Sequence, residues 1–318
     1  MRLIADYHIH SNNCKFRVAK SSIEEIARKA NSLGLKSIAI TDHGFKHKLA
    51  ANKKKLFEAR EIINKINMSS GTEVLLGIEA DILSEDGLID IDEQTLEIID
   101  VLIIGYHKFI KTDFASYFGR QKGGHEAISL ATDAYINAIL KYDVDIVAHP
   151  GHGVKIDLFR LGKVCAEYDV LMELNNRHCD YSEEDMADLL RSGCSFVVSS
   201  DAYAENNIGE VDNVFNLIEK YNIPTERIVN VDFDSSSQSE IEKLIEEDYE
   251  RYRKVMASKK KKYGDLSDET ERRLNEIAKA KGIYQEDENE IDIKEFLSDE
   301  DRIMVERAEA YIKKHKKD

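Results

Sequence analysis

Short apolar runs alternate with amphipathic stretches over the first part of the chain, from residue 1 to about residue 231. The runs are rich in β-branched residues and too apolar for burial on one face only, which is typical of strands in a parallel sheet. The predicted strands are Leu3–Tyr7, Ser37–Ile40, Val74–Leu76, Val101–Ile104, Asp145–Ala148, Val170–Leu174, Phe196–Ser199 and Ile228–Val231. Strands that alternate with helices predict an α/β fold, a parallel sheet or barrel with outer helices.

Two of the intervening stretches carry clear signals for helix ends. Ser21 and Ser22 precede an acidic first turn and predict a helix over Ile23–Ser32, which Gly34 closes. Ser182 is likewise followed by Glu183 and Glu184, and Gly193 stands at the other end of that stretch. Acidic residues at the start of a helix are stabilised by its dipole, so both stretches are predicted as outer helices.

The pattern changes after about residue 232, where strand–helix alternation gives way to Lys, Glu and Asp with few apolar residues. We therefore predict two domains, a barrel over residues 1–231 and a charged, mainly helical extension over residues 232–318. Three roles for the extension stay open: a small helical cap, a dimerisation arm that joins two copies, or a partly disordered tail. The run Lys259–Lys262 is expected to be a solvated face, with contact to an anion as the alternative.

Composition narrows the possible partners. The 318 residues include 61 acidic and 45 basic side chains, a formal net charge of −16, which repels phosphate backbones and disfavours a long nucleic-acid footprint. No apolar run approaches the roughly 20 residues that span a bilayer, and no segment has the form of a signal peptide. The four cysteines lack paired metal or disulfide spacing. We expect a soluble, cytoplasmic protein with reduced thiols and no membrane partner.

Potential metal ligands stand at or just after the ends of the predicted strands. In barrels these ends converge at one mouth, where active sites lie. Imidazole suits zinc, iron or manganese, and a carboxylate can bridge two ions. The residues are His8, His10, Asp42, His43, Glu79, His107, His149 and Asp201.

Seven motifs, in order along residues 1 to about 231, resemble the PHP (polymerase and histidinol phosphatase) family. The resemblance is strongest to its stand-alone, phosphatase-like members, which share the Glu-x-Asn-Asn motif at Glu173–Asn176 and an ending like Pro224–Ile228. The motifs are Asp6–Ser11, Thr41–Gly44, Gly77–Ala80, Gly105–His107, Ala148–Gly151, Glu173–Asn176 and Ser200–Tyr203.

The resemblance implies a distorted (β/α)7 barrel with two or three divalent ions, Zn, Mn or Fe, at its mouth. It implies that His8, His10, Glu79 and Asp201 hold one ion. It also implies that Glu79 bridges to a second ion held with His107 and His149, and that Asp6 supports these ligands. Such proteins hydrolyse phosphate esters.

Two positions depart from the family pattern. The last motif ends in Tyr203 where the family has a histidine, and a histidine that follows the first motif is replaced by Arg17 or its neighbour Lys15. With His43 alone, a third ion would be held weakly. One hypothesis is that Arg17 grips phosphate oxygens while Tyr203 donates a hydrogen bond, with Asp42 and His43 completing the catalytic set. The alternatives are a decayed third site behind a surface loop, or Cys14 as a substitute ligand.

The leading functional prediction is hydrolysis of a phosphate monoester of a small metabolite by a metal-activated water at a di- or trinuclear site. Two alternatives stay open. One is a phosphodiesterase or exonuclease that acts on nucleic-acid ends, and the other is a metal-binding scaffold with weakened catalysis. The shared metal motifs do not select a substrate.

Overall fold

The computed structural model describes residues 1–14, 19–50, 53–115 and 124–233. Its strands are β1 (Arg2–Leu3), β2 (Ala5–Ile9), β3 (Ser37–Ile40), β4 (Glu73–Asp81), β5 (Val101–Gly105), β6 (Ile146–Val147), β7 (Leu171–Asn175), β8 (Phe196–Ser199) and β9 (Val231–Asp232). Its α-helices are α1 (Ile23–Ser32), α2 (Lys53–Asn67), α3 (Glu93–Leu96), α4 (His125–Lys141), α5 (Leu158–Glu167), α6 (Glu183–Ser192) and α7 (Asp212–Tyr221).

Seven strands form one parallel sheet in the chain order β2-β3-β4-β5-β6-β7-β8. The two edge strands approach each other through a parallel bridge between Ile9 and Ala202, where the His10 amide donates to the Ala202 carbonyl at 2.8 Å. The sheet is therefore a nearly closed, distorted barrel, as the sequence predicts.

Asn230 completes the closure at the opposite end of β2 and β8. Its side-chain amide donates to the carbonyls of Ala5 and Val198 at 2.8 and 2.7 Å and accepts from the Val198 amide at 2.9 Å. A single buried side chain thus supplies hydrogen bonds that a neighbouring backbone would supply in a regular sheet.

The predicted strand Ile228–Val231 is wrong as a barrel strand. Only an isolated bridge joins Ile228 to Phe196, and Val231 belongs to β9, which pairs antiparallel with β1. The physical reason is that the Asn230 side chain makes most of the hydrogen bonds to the barrel edges, while the backbone adds one bond from Val229 to Phe196 and one from Ile4 to Asn230, both at 3.0 Å. The apolar residues on both sides of Asn230 still pack, and that packing accounts for their strand-like pattern.

A β-bulge in β2 determines which side chains face the barrel interior. Asp6 pairs with Ile38 and Ile9 pairs with Ile40, so β2 carries one extra residue between these two pairs. Tyr7 belongs to the buried interior cluster, and the extra residue lets His8 follow it into the interior. Residues two apart share one side of a strand, so the bulge turns both His8 and His10 to the interior side that Tyr7 faces.

Both sequence-predicted caps are confirmed. Ser22 and Ser182 each accept a hydrogen bond from the backbone three residues on, within reciprocal capping boxes, and Gly193 takes the left-handed conformation that ends α6. Among the described helices, none combines the length and apolarity needed to cross a membrane. Residues 234–318 lie outside the described ranges, so the domain boundary and the helical extension stay predictions.

Candidate metal centre

The polar side chains at the mouth continue the inward-facing series of each strand. On β4, Gly77, Glu79 and Asp81 follow one another at alternate positions, and on β7 Glu173 and Asn175 do the same. Lower in the barrel, the same faces carry the apolar interior cluster. The strands thus place carboxylates and imidazoles directly on top of a packed core.

Glu79 lies at the centre of these groups. Its Oε1 atom is 2.9 Å from Nε2 of His149, 3.3 Å from Nε2 of His107 and 3.4 Å from Nε2 of His8. Gly105 makes room here, because a side chain at that position would lie 3.3 Å from the His149 ring and 3.9 Å from Glu79 Oε1. One carboxylate oxygen therefore faces three imidazole nitrogens from three other strands.

The second oxygen of Glu79 faces the other side of the mouth. Oε2 is 2.8 Å from Nδ1 of His43 and 3.6 Å from Nε2 of His10. Nε2 of His10 is in turn 3.4 Å from Oδ1 of Asp201, and His8, His10 and Asp201 bring one ligand atom each within 4.8 Å of one another. Glu79 thus stands between two groups of potential ligands, and the bridging role that the sequence predicts for it stays a prediction.

The unpaired polar atoms fit divalent metal ions. Buried atoms without a hydrogen-bond partner in the described structure include Nε2 of His8, both ring nitrogens of His10 and Oδ1 of Asp201. Leaving one such atom unpaired costs about 1–3 kcal/mol, so a cluster of them needs a common partner. Zinc bonds of about 2.0–2.1 Å place tetrahedral ligand atoms about 3.3 Å apart, close to the spacings around Glu79.

Glu173 orients two of the imidazoles from below. Nδ1 of His8 donates to its Oε1 at 2.7 Å, while the His149 amide and the Asn175 side chain donate to Oε2 at 2.6 and 3.0 Å. Fixing Nδ1 as the protonated nitrogen leaves Nε2 of His8 as the atom that could bind a metal ion. Glu173 therefore selects the tautomer of His8 and anchors the backbone of His149.

Asp81 orients the His107 ring in the same way. Both the amide and Nδ1 of His107 donate to Oδ1 of Asp81, at 3.0 and 2.9 Å. Only Nε2 of His107 is left to face Glu79. The sequence reasoning gave no role to Asp81, although its position two residues after Glu79 on one strand places both on the same face.

Two of the predicted ligands are among the five described non-glycine residues that have a positive φ. His149 and Asp201 have φ values of 28° and 53°, in the left-handed region that non-glycine residues rarely adopt. His149 also precedes Pro150, and a following proline disfavours compact backbone conformations. Such strain is typical of residues held for a functional purpose.

The pKa values of the carboxylates and imidazoles at the centre depend on one another. Burial alone would raise the pKa of Glu79, but His107, His8 and His43 hold it well below its usual value. Burial would likewise lower the pKa of His8, but Glu173, Glu79 and Asp201 raise it well above the ordinary value. The pKa of His107 is raised in the same way, against burial, by Glu79 and Asp81. In the metal-free protein, the carboxylates and these imidazoles therefore stabilise each other's charged forms.

Asp42 lies next to the centre and is fully engaged by its neighbours. Its Oδ1 accepts from the Ser11 amide at 2.7 Å and from Sγ of Cys14 at 3.1 Å, and its Oδ2 accepts from the Ser11 hydroxyl at 2.6 Å. Asp42 thus holds the segment that follows β2. His10, Cys14 and Asp42 also form a close group of potential ligands. The catalytic role predicted for Asp42 and the ligand role considered for Cys14 stay predictions.

Tyr203 contacts two of the imidazoles. Its hydroxyl lies 2.8 Å from Nε2 of His43, and its ring stacks on His10 with centroids 4.2 Å apart. Burial raises the pKa of Tyr203 above its usual value, so the phenol keeps its proton. The Arg177 guanidinium stands 4.6 Å from the centre of the Tyr203 ring. Arg17 and Lys15 lie outside the described residues, so the predicted role of Arg17 stays a prediction.

The sequence reasoning gave no role to His47. Its ring centroid is 3.8 Å from that of His43 and 4.8 Å from that of His107. Burial, with His43 and His107 adding to it, lowers the pKa of His47 to about 3. His47 stands in a loop after β3, where no strand or helix periodicity marks a residue as facing the site.

Comparison with known proteins decides the family. The family model for the PHP domain matches residues 6–299, which is most of the chain. The chain belongs to the PHP domain family. The match runs past residue 231, where the sequence predicts the end of the barrel.

Curated relatives of this PHP domain protein match about three quarters of its chain. It is 31% identical over 247 residues to a probable phosphatase of Caldanaerobacter subterraneus subsp. tengcongensis, covering 75% of this chain and 91% of that relative. A probable phosphatase of Thermoanaerobacter sp. (strain X514) is 30% identical over 243 residues, covering 73% and 92% of the two chains. A solved histidinol phosphate phosphatase of Lactococcus lactis aligns at 17% identity with a TM-score of 0.49, over 70% of this chain and 95% of that one.

Proposed function

We propose that this PHP domain protein is a metal-dependent phosphoesterase that hydrolyses phosphate monoesters of small molecules. The observation that carries the proposal is the position of Glu79, whose two oxygens face separate groups of imidazoles at distances of 2.8–3.6 Å. A bridging carboxylate between two ions is the arrangement that two-metal hydrolysis requires. The relatives named probable phosphatases support the same reaction class.

In this proposal one ion is held by His8, His10 and Asp201, and a second by His107 and His149, with Glu79 shared between them. Each set brings its ligand atoms within 4.8 Å of one another in the described structure. When bound, two such ions would lower the pKa of a water molecule and neutralise charge on the phosphate oxygens. The centre then needs no nucleophilic serine or cysteine.

The chain's own residues orient the ligands and provide a hydrogen-bond donor. Glu173 and Asp81 hold His8 and His107 with their Nε2 atoms turned to the centre. Tyr203 keeps its phenolic proton and stands against His43 and beneath Arg177. We assign Tyr203 to donate a hydrogen bond to an oxygen of the reacting phosphate group, with Arg177 holding its ring in place.

The substrate class is inferred from charge. The net charge of −16 opposes the approach of a polyanion such as nucleic acid, whereas a small phosphate monoester carries few charges. The positively charged Arg177 lies beside Asp201, with Nη1 3.7 Å from Oδ1, and half of its side chain is exposed. It can therefore attract an anion to the mouth.

A comparison of two aryl phosphates tests the proposal. The full-length protein, loaded with Zn²⁺ or Mn²⁺, is assayed with 4-nitrophenyl phosphate and with bis(4-nitrophenyl) phosphate. We expect turnover of the monoester, its loss in His149→Ala, and wild-type turnover in His125→Ala, whose side chain is exposed on α4. Preference for the diester would instead support the phosphodiesterase alternative, and bound metal without turnover of either compound would support a scaffold.

A further inference from the structure

Three side chains in neighbouring loops at the mouth have no part in the proposed reaction. Lys108 follows β5, His152 follows β6 and His178 follows β7. The His152 and His178 rings stack, with centroids 3.8 Å apart and an interplanar angle of 29°. Because β5, β6 and β7 are adjacent in the barrel, the three side chains lie along one stretch of its rim. We call this group the rim cluster.

The rim cluster lies beside the metal centre rather than within it. The His149 ring centroid is 5.8 Å from that of His152 and 5.5 Å from that of His178, and both rings are nearly perpendicular to it. His152 and His178 are partly exposed, and neither belongs to the described groups whose atoms could hold an ion. A molecule that contacts these rings would lie next to a phosphate bound at the centre, where the alcohol portion of a phosphate monoester extends.

Two tight turns hold the stacked rings in place. After β6, the His152 amide donates to the His149 carbonyl at 2.9 Å, and Gly153 has a φ of 78°, which favours glycine. After β7, Oδ1 of Asn175 accepts from the His178 amide at 3.2 Å. The backbone therefore fixes where both rings start, so the pair is a constructed part of the rim.

Lys108 lies against the turn that carries His152. A Cβ added to Gly153 would lie 3.9 Å from Cε of Lys108. Burial lowers the pKa of His152, and His149 and Lys108 add to this effect. The exposed Asp180 acts in the opposite direction. The positive charge of Lys108 is thus close enough to act on the His152 ring.

The two cations on this side of the mouth have different surroundings. Nη1 of Arg177 lies 3.7 Å from Oδ1 of Asp201, and its guanidinium faces the Tyr203 ring. Lys108 is exposed and makes no ion pair with any residue that the structure describes. One positive charge is therefore available to an anion, and a single charge matches a carboxylate better than a doubly charged phosphate group.

We propose that Lys108, His152 and His178 form a subsite for the alcohol portion of the substrate, and that this portion carries a carboxylate. The inference rests on the proposed function and adds to it the class of substrate, a phosphate monoester of a hydroxy acid. Lys108 contacts the carboxylate, and the ring pair contacts the atoms between the carboxylate and the phosphate group. A cationic alcohol is disfavoured, because Lys108 and Arg177 repel it.

Three aryl phosphates that differ in charge test the subsite. The full-length protein, loaded with Zn²⁺ or Mn²⁺, is assayed with phenyl phosphate, 4-carboxyphenyl phosphate and 4-(aminomethyl)phenyl phosphate. The variants are Lys108→Met, Lys108→Glu and the control Lys36→Met, which removes an exposed lysine just before β3, at the other end of the barrel. The intrinsic reactivity of each ester is the same for every variant, so changes in the ratio of kcat/KM between esters report the protein.

We expect the ratio of kcat/KM for the carboxylate ester to that for phenyl phosphate to fall about two- to fivefold in Lys108→Met, as for one exposed ion pair. In Lys108→Glu the ratio should fall further, and the ammonium ester should gain relative to phenyl phosphate. Higher ionic strength should lower the ratio in wild type and not in Lys108→Met, because salt screens exposed charges. Lys36→Met should match wild type.

The ring pair is tested separately with His152→Ala. This variant should lower kcat/KM for all three esters, because the rings contact the aryl group that the esters share. Metal content by elemental analysis should stay at the wild-type value, since neither ring is assigned to an ion. Unchanged kcat/KM, or loss of an ion, would overturn the assignment of the rings.

Equal ratios in wild type, Lys108→Met and Lys108→Glu would overturn the subsite. A wild-type preference for the ammonium ester over the carboxylate ester would overturn it as well. In both cases turnover of the esters would leave the proposed function intact. No turnover of any of the three esters by the metal-loaded wild type would overturn the proposed function itself.

Discussion

Nδ1 of His8 donates a 2.7 Å hydrogen bond to Oε1 of Glu173, although the two residues are 165 positions apart in the chain. Both side chains are completely buried. The bond sets the tautomer of His8 and so turns Nε2 toward Glu79 and Asp201. A carboxylate behind a histidine ligand is the usual way in which a protein orients such a ligand and raises its basicity.

Glu173→Gln should therefore weaken metal binding without leaving a cavity in the barrel core. The amide has the same shape but removes the charge that supports His8. We expect the affinity of the tightest ion to fall by about 10- to 100-fold, measured by competition with a chromophoric chelator. Glu219→Gln, on the exposed face of α7, is the matched control. Equal affinities in the two variants would show that Glu173 does not support the ligand.

Tyr203→Phe should separate catalysis from metal binding. The variant keeps the ring that stacks on His10 and loses the hydroxyl that faces His43. Because a hydrogen bond to a charged group is worth about 1.5–3 kcal/mol, we expect kcat/KM for 4-nitrophenyl phosphate to fall about 10- to 100-fold. Metal content by elemental analysis should stay at the wild-type value. Loss of an ion in this variant would make Tyr203 part of the metal site instead.

Metal binding should release protons and weaken as the pH falls. Neighbouring carboxylates raise the pKa values of His8 and His107 well above the ordinary value in the metal-free centre, so both rings hold a proton more readily than a free imidazole. A ring must lose the proton at Nε2 to bind an ion, and lowering the pH favours the protonated, metal-free form. Calorimetric titrations in buffers of different protonation enthalpy should show proton release on metal binding that grows as the pH is lowered. Binding without proton release at any pH would contradict the raised pKa values of these rings.

Asn230→Ala should destabilise the barrel far from the metal centre. Three hydrogen bonds to the backbone of β2 and β8 are lost, and buried carbonyl and amide groups stay unpaired. We expect the free energy of unfolding in urea to fall by about 3 kcal/mol. Asn216→Ala, at an exposed position of α7, should change it by less than about 0.5 kcal/mol. An unchanged midpoint for Asn230→Ala would mean that the barrel closes without this side chain.

The sequence predicts the barrel well because its strands are buried on both faces. Runs such as Val101–Ile104 contain little but β-branched and aliphatic residues, and they correspond to strands in the structure. The exception, Ile228–Val231, shows the limit of the pattern. Apolar residues there pack against the barrel, but Asn230 between them bonds through its side chain, and hydropathy does not distinguish the two cases.

The grouping of histidines and carboxylates from the strand ends could be predicted because strand direction alone brings them to one mouth, whereas their role as metal ligands stays a prediction. His47 could not be predicted, because its position depends on how the loop after Gly44 is held by Asp90. Glu173 stands in a motif that the sequence singles out, yet its hydrogen bond to His8 joins opposite parts of the chain. Long-range side-chain geometry of this kind appears only in the folded structure.

The most direct test of the account is the metal content per chain of wild type and Glu79→Gln, measured by elemental analysis after purification without chelators. Because Glu79 faces both groups of imidazoles, the account predicts at least two ions in wild type and weakened retention of both ions in the variant. Glu219→Gln should match wild type. A variant that retains both ions at the wild-type level, or a wild-type protein without metal, would contradict the bridging role of Glu79.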